Sequence, residues 1–188
     1  MTTTSQFYTG LVARLYEPLA GHLPVPEVYQ RFVEKYGEPA LELACCYLAG
    51  PSFCLIDSLD DAQETLRRVY TALTPGGHFL LSVFKPAEAA LPSPVKSTIL
   101  DDGSVATVQS IAEERNPDLQ RVSTHLRYMC AINGETETLD RTWVLQWYAA
   151  AALTDMLSAA GFSILRIAGD DGNTVAPTDT NFFVIAEK

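Results

Sequence analysis

Few residues in this chain are of types that do chemistry, and their spacing narrows them further. Three histidines are present. His22 and His78 flank turns and read as surface residues. His125 stands inside an alternating run and is the one catalytic candidate. A general base facing a substrate cavity would occupy such a position, and so would a strand histidine satisfied by its neighbours. Cys45, Cys46 and Cys54 match no C-x-x-C ligand pair. Small buried cysteines are common in cores, so no metal site is expected. Asp101-Asp102-Gly103 reads as a turn rather than an acid pair. Trp143, Leu145 and Trp147 fall on one side of an alternating run. The tryptophans there would either cap a substrate pocket or pack a core or an interface.

The elements that must position these residues centre on 58–84, SLDDAQETLRRVYTALTPGGHFLLSVF. Leu59, Ala62, Leu66, Val69 and Leu73 recur at helical spacing on one face. Ser58 is a suitable N-cap, and Asp60 and Asp61 complement the helix dipole. Pro75-Gly76-Gly77 stops the helix. The apolar run that follows, Phe79 to Phe84, has the texture of a strand buried on both faces, as in parallel sheets covered by helices. Before this centre, helices are expected at 5–20 and 26–36, and a strand at Pro39 to Cys46. Gly50-Pro51 punctuates the chain before a short apolar run into Ser58. After it, 85–96 reads as a proline-rich loop. Three alternating segments follow, at 105–115, 120–132 and 136–148, with turns at Asn116-Pro117-Asp118 and Asn133-Gly134. They predict an antiparallel meander inserted between residues 98 and 149. A helix at 149–160 and strands at 162–167 and 181–187 close the chain.

Composition bounds the possible functions. The chain has 188 residues, 47% hydrophobic and 19% charged, as expected of one soluble globular domain spanning 1–188. Twenty-three acids against 13 bases leave a formal net charge of −10. That argues against binding to nucleic acid or anionic membrane, which needs a basic footprint. No signal peptide or membrane span is read. Four cysteines at irregular positions suit a reduced, cytoplasmic protein.

The order of these pieces resembles the class I S-adenosylmethionine-dependent methyltransferases, small-molecule type. The resemblance rests on Leu73-Thr74-Pro75-Gly76-Gly77 before a strand, on the β insertion, on Leu157 to Phe162 (LSAAGF) before a later strand, and on Glu42-Leu43-Ala44-Cys45. This last run looks like the start of that family's first motif, E-L-G-C-G-T-G. The resemblance implies a three-layer α/β sandwich, a reduced Rossmann-like methyltransferase fold with an antiparallel β insertion; its sheet is expected to have about four or five strands, mainly parallel. The strand at 181–187 would lie antiparallel between those at 77–84 and 162–167. It also implies cofactor contacts. Glu42 would orient the cofactor's amino group, unless it is an ordinary strand-end carboxylate. Tyr8 and Tyr16 would reach its carboxylate. Ala44 belongs to the first motif, and Gly50 and Ser52 to a segment resembling the region of the fourth strand. Trp147 and Tyr148 resemble the substrate side.

The departures from the family are as informative. Cys45 is followed by Cys46-Tyr47-Leu48 rather than by the glycine-rich loop that approaches the cofactor closely. The second and third strands have no counterpart, an absence of roughly 60 residues at about 30 per βα unit. The expectation is a methyltransferase-like protein for a small molecule whose S-adenosylmethionine binding is weak or lost. The alternative is a non-catalytic module of the same fold. The strand ending at Cys45, stripped of its neighbours on one side, predicts a homodimer.

Overall fold

The computed structural model describes residues 10–20, 27–36, 43–56, 58–84, 86, 93–132, 134–169, 173–175 and 181–188. The chain divides into two compact units, Met1–Pro24 with Glu88–Leu145 and Val25–Ala87 with Gln146–Lys188.

The second unit holds the segment on which the sequence centres. Its helices are α2 (Glu27–Tyr36), α3 (Leu59–Ala72) and α4 (Ala150–Ala160). Its sheet comprises β1 (Leu43–Leu48), β2 (Leu73–Phe84), β7 (Ser163–Gly169) and β8 (Asn181–Glu187), in the order β1-β2-β8-β7. β1 runs parallel to β2, whereas β8 runs antiparallel to both β2 and β7. By its pairings the sheet is thus not mainly parallel as expected, because β8 enters in the opposite sense between two of its strands. The final strand is therefore seated as expected, between the two strands that precede it in sequence.

Helices cover both faces of this sheet. Tyr29 and Phe32 of α2 pack with Cys45, Leu80, Ala168 and Phe183 on one face. Alternation along β2 sends Phe79 and Leu81 to the other. There Phe79 stacks on Phe162 at 5.6 Å, and Tyr70 of α3 meets Phe162 edge-on at 5.1 Å. Ala62 and Leu66 of α3 and Leu153 and Leu157 of α4 are buried. Gln63 donates to the Met156 carbonyl at 3.0 Å and ties α3 to α4. The nearly all-apolar run from Phe79 is thus buried on both sides, and the layers are helix, sheet, helix.

Local signals place α3. The Ser58 hydroxyl accepts the Asp61 N–H at 3.0 Å, and Glu64 pairs with Arg67 and Arg68 along the outer face. Two expectations fail here. Leu73, assigned to the helix's inner face, is extended and begins β2. Leu59, assigned to the inner face, is 61% exposed at the helix's first position.

Two local readings are corrected around β1. The strand was expected to end at Cys46 and continues to Leu48, because Cys46, Tyr47 and Leu48 stay in register with Phe79, Leu80 and Leu81. The apolar run after Gly50 is a 3-10 helix, Gly50–Leu55, rather than a strand. Gly50 turns the chain at a φ of 57°, and proline next to it has no N–H for a ladder.

The first unit carries α1 (Leu11–Ala20) and a second sheet. Its strands β3 (Lys96–Ile99), β4 (Val105–Asn116), β5 (Arg121–Ile132) and β6 (Glu135–Gln146) follow in sequence order. The meander has four strands rather than three. β3 forms by pairing Lys96 to Ile99 against Val108 to Val105, a partnership that its own composition does not announce. Asp102 accepts the Ser104 N–H at 2.9 Å, making 101–103 the turn that was read. One face of the sheet is covered by α1, where Leu11, Val12 and Leu15 pack on Ala106, Tyr128 and Cys130. Trp143 joins this cluster from β6, whereas Trp147 lies beyond the strand's end. Among the described residues, no helix is long and apolar enough to cross a membrane.

Candidate functional site

In open α/β sheets, ligands bind in the crevice at the carboxyl ends of the parallel strands. In this chain that edge is formed where β1 ends at Leu48 and β2 ends at Phe84. Tyr29 of α2 is its hub. The tyrosine hydroxyl donates to the Ser82 Oγ at 2.6 Å and accepts the Gly50 N–H at 2.8 Å. One phenol thereby joins a helix, the turn after β1 and the end of β2. Its ring also lies 5.5 Å from that of Tyr47.

Beside this hub sits a second group. The 3-10 helix after β1 buries Phe53 and Cys54. The Cys54 thiol donates to the Phe84 carbonyl at 3.5 Å. Burial pushes that thiol up to about 11, partly offset by the hydrogen bond to Phe84, so it is protonated at neutral pH. Tyr148, in the irregular stretch before α4, packs its ring 5.3 Å from Phe53. Its hydroxyl is buried and has no hydrogen-bond partner among the described residues. Burial first, and then the neighbouring Cys54, raise its pKa to about 12.

The sequence candidates distribute unevenly. Gly50 and Tyr148 fall within these two groups. Ser52 is close to Gly50 in the chain but exposed, its hydroxyl donating to the Ala49 carbonyl at 2.9 Å. Trp147 is half-buried beside Tyr148. Ala44 lies at the opposite, amino end of β1. There its carbonyl, with that of Leu43, would lie within 3.3 Å of a side-chain carbon at Gly77. Tyr16 is 52% exposed on α1, in the other unit. So is His125, on β5, whose Nδ1 shares a hydrogen bond with the Thr142 hydroxyl at 3.0 Å. Its Nε2 lies 3.8 Å from Glu114, so both ring nitrogens face polar groups of the same sheet. Tyr8 and Glu42 lie outside the described residues. Sequence reading missed Tyr29 and Ser82, and took Cys54 for an ordinary core cysteine. The one local signal was the Gly50-Pro51 break, which marks where the edge is built. Among the described residues no cluster of histidine, cysteine and acid is placed to hold a metal, and no disulfide joins the cysteines.

Among the described residues, no glycine-rich loop follows the run that resembles the family's first motif: Cys46, Tyr47 and Leu48 come next and are held in the β1 ladder. Ala44 is at the wrong end of the strand for a loop at the carboxyl edge. The Gly50 N–H, the glycine amide at that edge, already donates to Tyr29.

Fold and edge together define a class I methyltransferase-like α/β fold with an antiparallel β addition. Three solved structures illustrate the likeness. The CcbJ methyltransferase from Streptomyces caelestis matches with a TM-score of 0.56 at 17% identity, over 77% of this chain and 60% of that one. An S-adenosylmethionine-dependent methyltransferase from Clostridium acetobutylicum matches at 0.60 and 13%, over 86% and 69%. S-adenosylmethionine-bound CalS10 from Micromonospora echinaspora, an amino pentose methyltransferase involved in calicheamicin biosynthesis, matches at 0.58 and 12%, over 80% and 61%. At such identities the likeness is one of fold. This chain spans only 60% of the first of these proteins. No protein-family profile and no curated protein matches the sequence.

Proposed function

We propose that this chain is a methyltransferase-like protein acting on a small molecule, with its binding of S-adenosylmethionine weakened or lost. The fold likeness supports the methyltransferase half of this reading. Among the neighbours, CalS10 is described as an amino pentose methyltransferase, which makes a small amine-bearing acceptor the natural class to test. The net charge of −10 supports a small-molecule partner over nucleic acid. Four cysteines at irregular positions are in keeping with a reducing, cytoplasmic setting.

The observation that carries the weakened cofactor is the unbroken β1. The strand runs through Cys46, Tyr47 and Leu48, where a backbone loop would have to approach the cofactor. Few contacts then remain to offset the freedom a ligand loses on binding. Any catalysis would rest on positioning the acceptor atom, for which the Tyr29, Gly50 and Ser82 hub is the hydrogen-bonded framework at hand. The second reading, a non-catalytic binding or assembly module, is favoured by the same strand. Among the described residues β1 is the end of its sheet.

Titration calorimetry with S-adenosylmethionine tests the proposal. The expected dissociation constant is near or above ~1 mM, worth only about 0.4 kcal/mol of stabilisation at equal ligand concentration. Micromolar affinity would overturn it. Methyl transfer to amine-bearing sugars by the isolated chain would decide against the non-catalytic reading.

A further inference from the structure

We infer that the Tyr148 hydroxyl is a ligand-binding group, which hydrogen-bonds an amine or hydroxyl of a small polar molecule held at the carboxyl edge of β2. The inference rests on the reading that this edge is the functional site, but not on any binding of S-adenosylmethionine.

The polar groups around this edge are accounted for one by one. Tyr29 donates to Ser82 and accepts from Gly50. The Cys54 thiol donates to the Phe84 carbonyl. Ser52 donates to the Ala49 carbonyl. Among the described residues of this unit, Tyr148 alone has a buried side-chain polar atom with no partner. The residue as a whole is 1% exposed. Buried polar groups are nearly always paired, and one that is not calls for a specific reason. Packing is not that reason. The contact with Phe53 is made by the ring, and a phenylalanine would make it as well.

The chemistry of the group sets the class of ligand. With its pKa raised to about 12, the phenol is neutral at physiological pH and serves as donor or acceptor, not as a base. Phe53 and the Tyr148 ring provide an apolar wall. A sugar-like molecule, with an apolar ring face and projecting amine or hydroxyl groups, matches both. Residues 147–149 belong to no helix or strand, although Ala149 is the N-cap of α4, and ligand access to the enclosed hydroxyl would require this segment to shift.

Two measurements on the full chain test the inference. In Tyr148→Phe, the melting temperature should stay level or rise by about 2–4 °C, because an unpaired buried group is removed. A fall of that size would mean that the hydroxyl is kept for the fold, and would overturn the inference. In protein labelled with 3-fluorotyrosine, the fluorine resonance missing from Tyr148→Phe identifies position 148. Adding D-glucosamine at tens of millimolar should shift that resonance saturably and leave that of Tyr16 unmoved. No shift at position 148 would overturn the inference. A shift there, in protein that transfers no methyl group, would uphold it while the enzyme reading fell.

Discussion

Replacing Gly77 by alanine should be among the most damaging small substitutions in this protein. Gly77 follows Pro75 and Gly76 in the irregular first part of β2, where the pairing with β1 shifts register between Leu43 and Cys45. A methyl group there would lie 2.8 Å from the Thr74 carbonyl oxygen, 3.1 Å from that of Leu43 and 3.3 Å from that of Ala44. All three are backbone atoms and cannot swing aside as a side chain would. Overpacking of this kind costs about 1–3 kcal/mol. This segment is also pinned from behind: the Gly76 N–H donates to the Lys188 carbonyl at 3.0 Å, and the Lys188 N–H to the Gly77 carbonyl at 2.9 Å. Relief of the clash by backbone movement would strain both, at about 1 kcal/mol each. The sum is about 3–5 kcal/mol, or roughly 6–20 °C in melting temperature at 2–4 °C per kcal/mol for a chain of this size. Gly76→Ala is the internal control. Gly76 adopts a φ of 75°, but nothing lies within 4 Å of the added carbon. Its cost is the left-handed conformation alone, about 1–2 kcal/mol. Thermal melts of both variants by circular dichroism provide the comparison. If Gly76→Ala were as destabilised as Gly77→Ala, or Gly77→Ala melted with the wild type, the packing described between this segment and β1 would be wrong.

Two other outcomes are expected. Arg127 makes two hydrogen bonds of 2.7 Å to the Asp140 carboxylate, and these, with its charge, hold that carboxyl below its usual range. A depressed carboxyl stabilises the fold above its unfolded pKa of about 3.9 and loses that contribution as pH falls through the folded value. The melting temperatures of wild type and Asp140→Asn should therefore differ at neutral pH and converge below about pH 4, and parallel curves would refute the pair's role. At the open end of the sheet, β1 has a strand neighbour only in β2 among the described residues, carries no charged residue, and leaves Tyr47 41% exposed. Light scattering should report a dimer built by pairing of this edge; a monomer whose amides at 43–48 exchange slowly would refute it.

Much of this protein was legible wherever the cause is local. Ser58, the two following acids and the apolar period define α3 in any context, because capping acts within a few residues, but the helix stops at Ala72, with Leu73 already extended, ahead of the Pro75-Gly76-Gly77 run expected to end it. The run from Phe79 to Phe84 could only be a strand buried on both faces. The seat of β8 between β2 and β7 came from resemblance to a known order of elements, not from the residues of β8 alone. What tertiary structure decided are the matters settled between distant partners. β3 exists because Val105 to Val108 lie beside it. β1 passes Cys46 because Leu80 and Leu81 hold it in the ladder, where the sequence reading expected it to end. Tyr29 reads as one more aromatic on a helix face. Its hydroxyl joins Gly50, 21 residues away, to Ser82, 53 residues away, and hydrogen-bond partners at that separation leave no periodicity to read. Tyr148 is the converse case. What marks it is the lack of a partner for a buried hydroxyl, a property of the space around the residue, and only the folded chain defines that space.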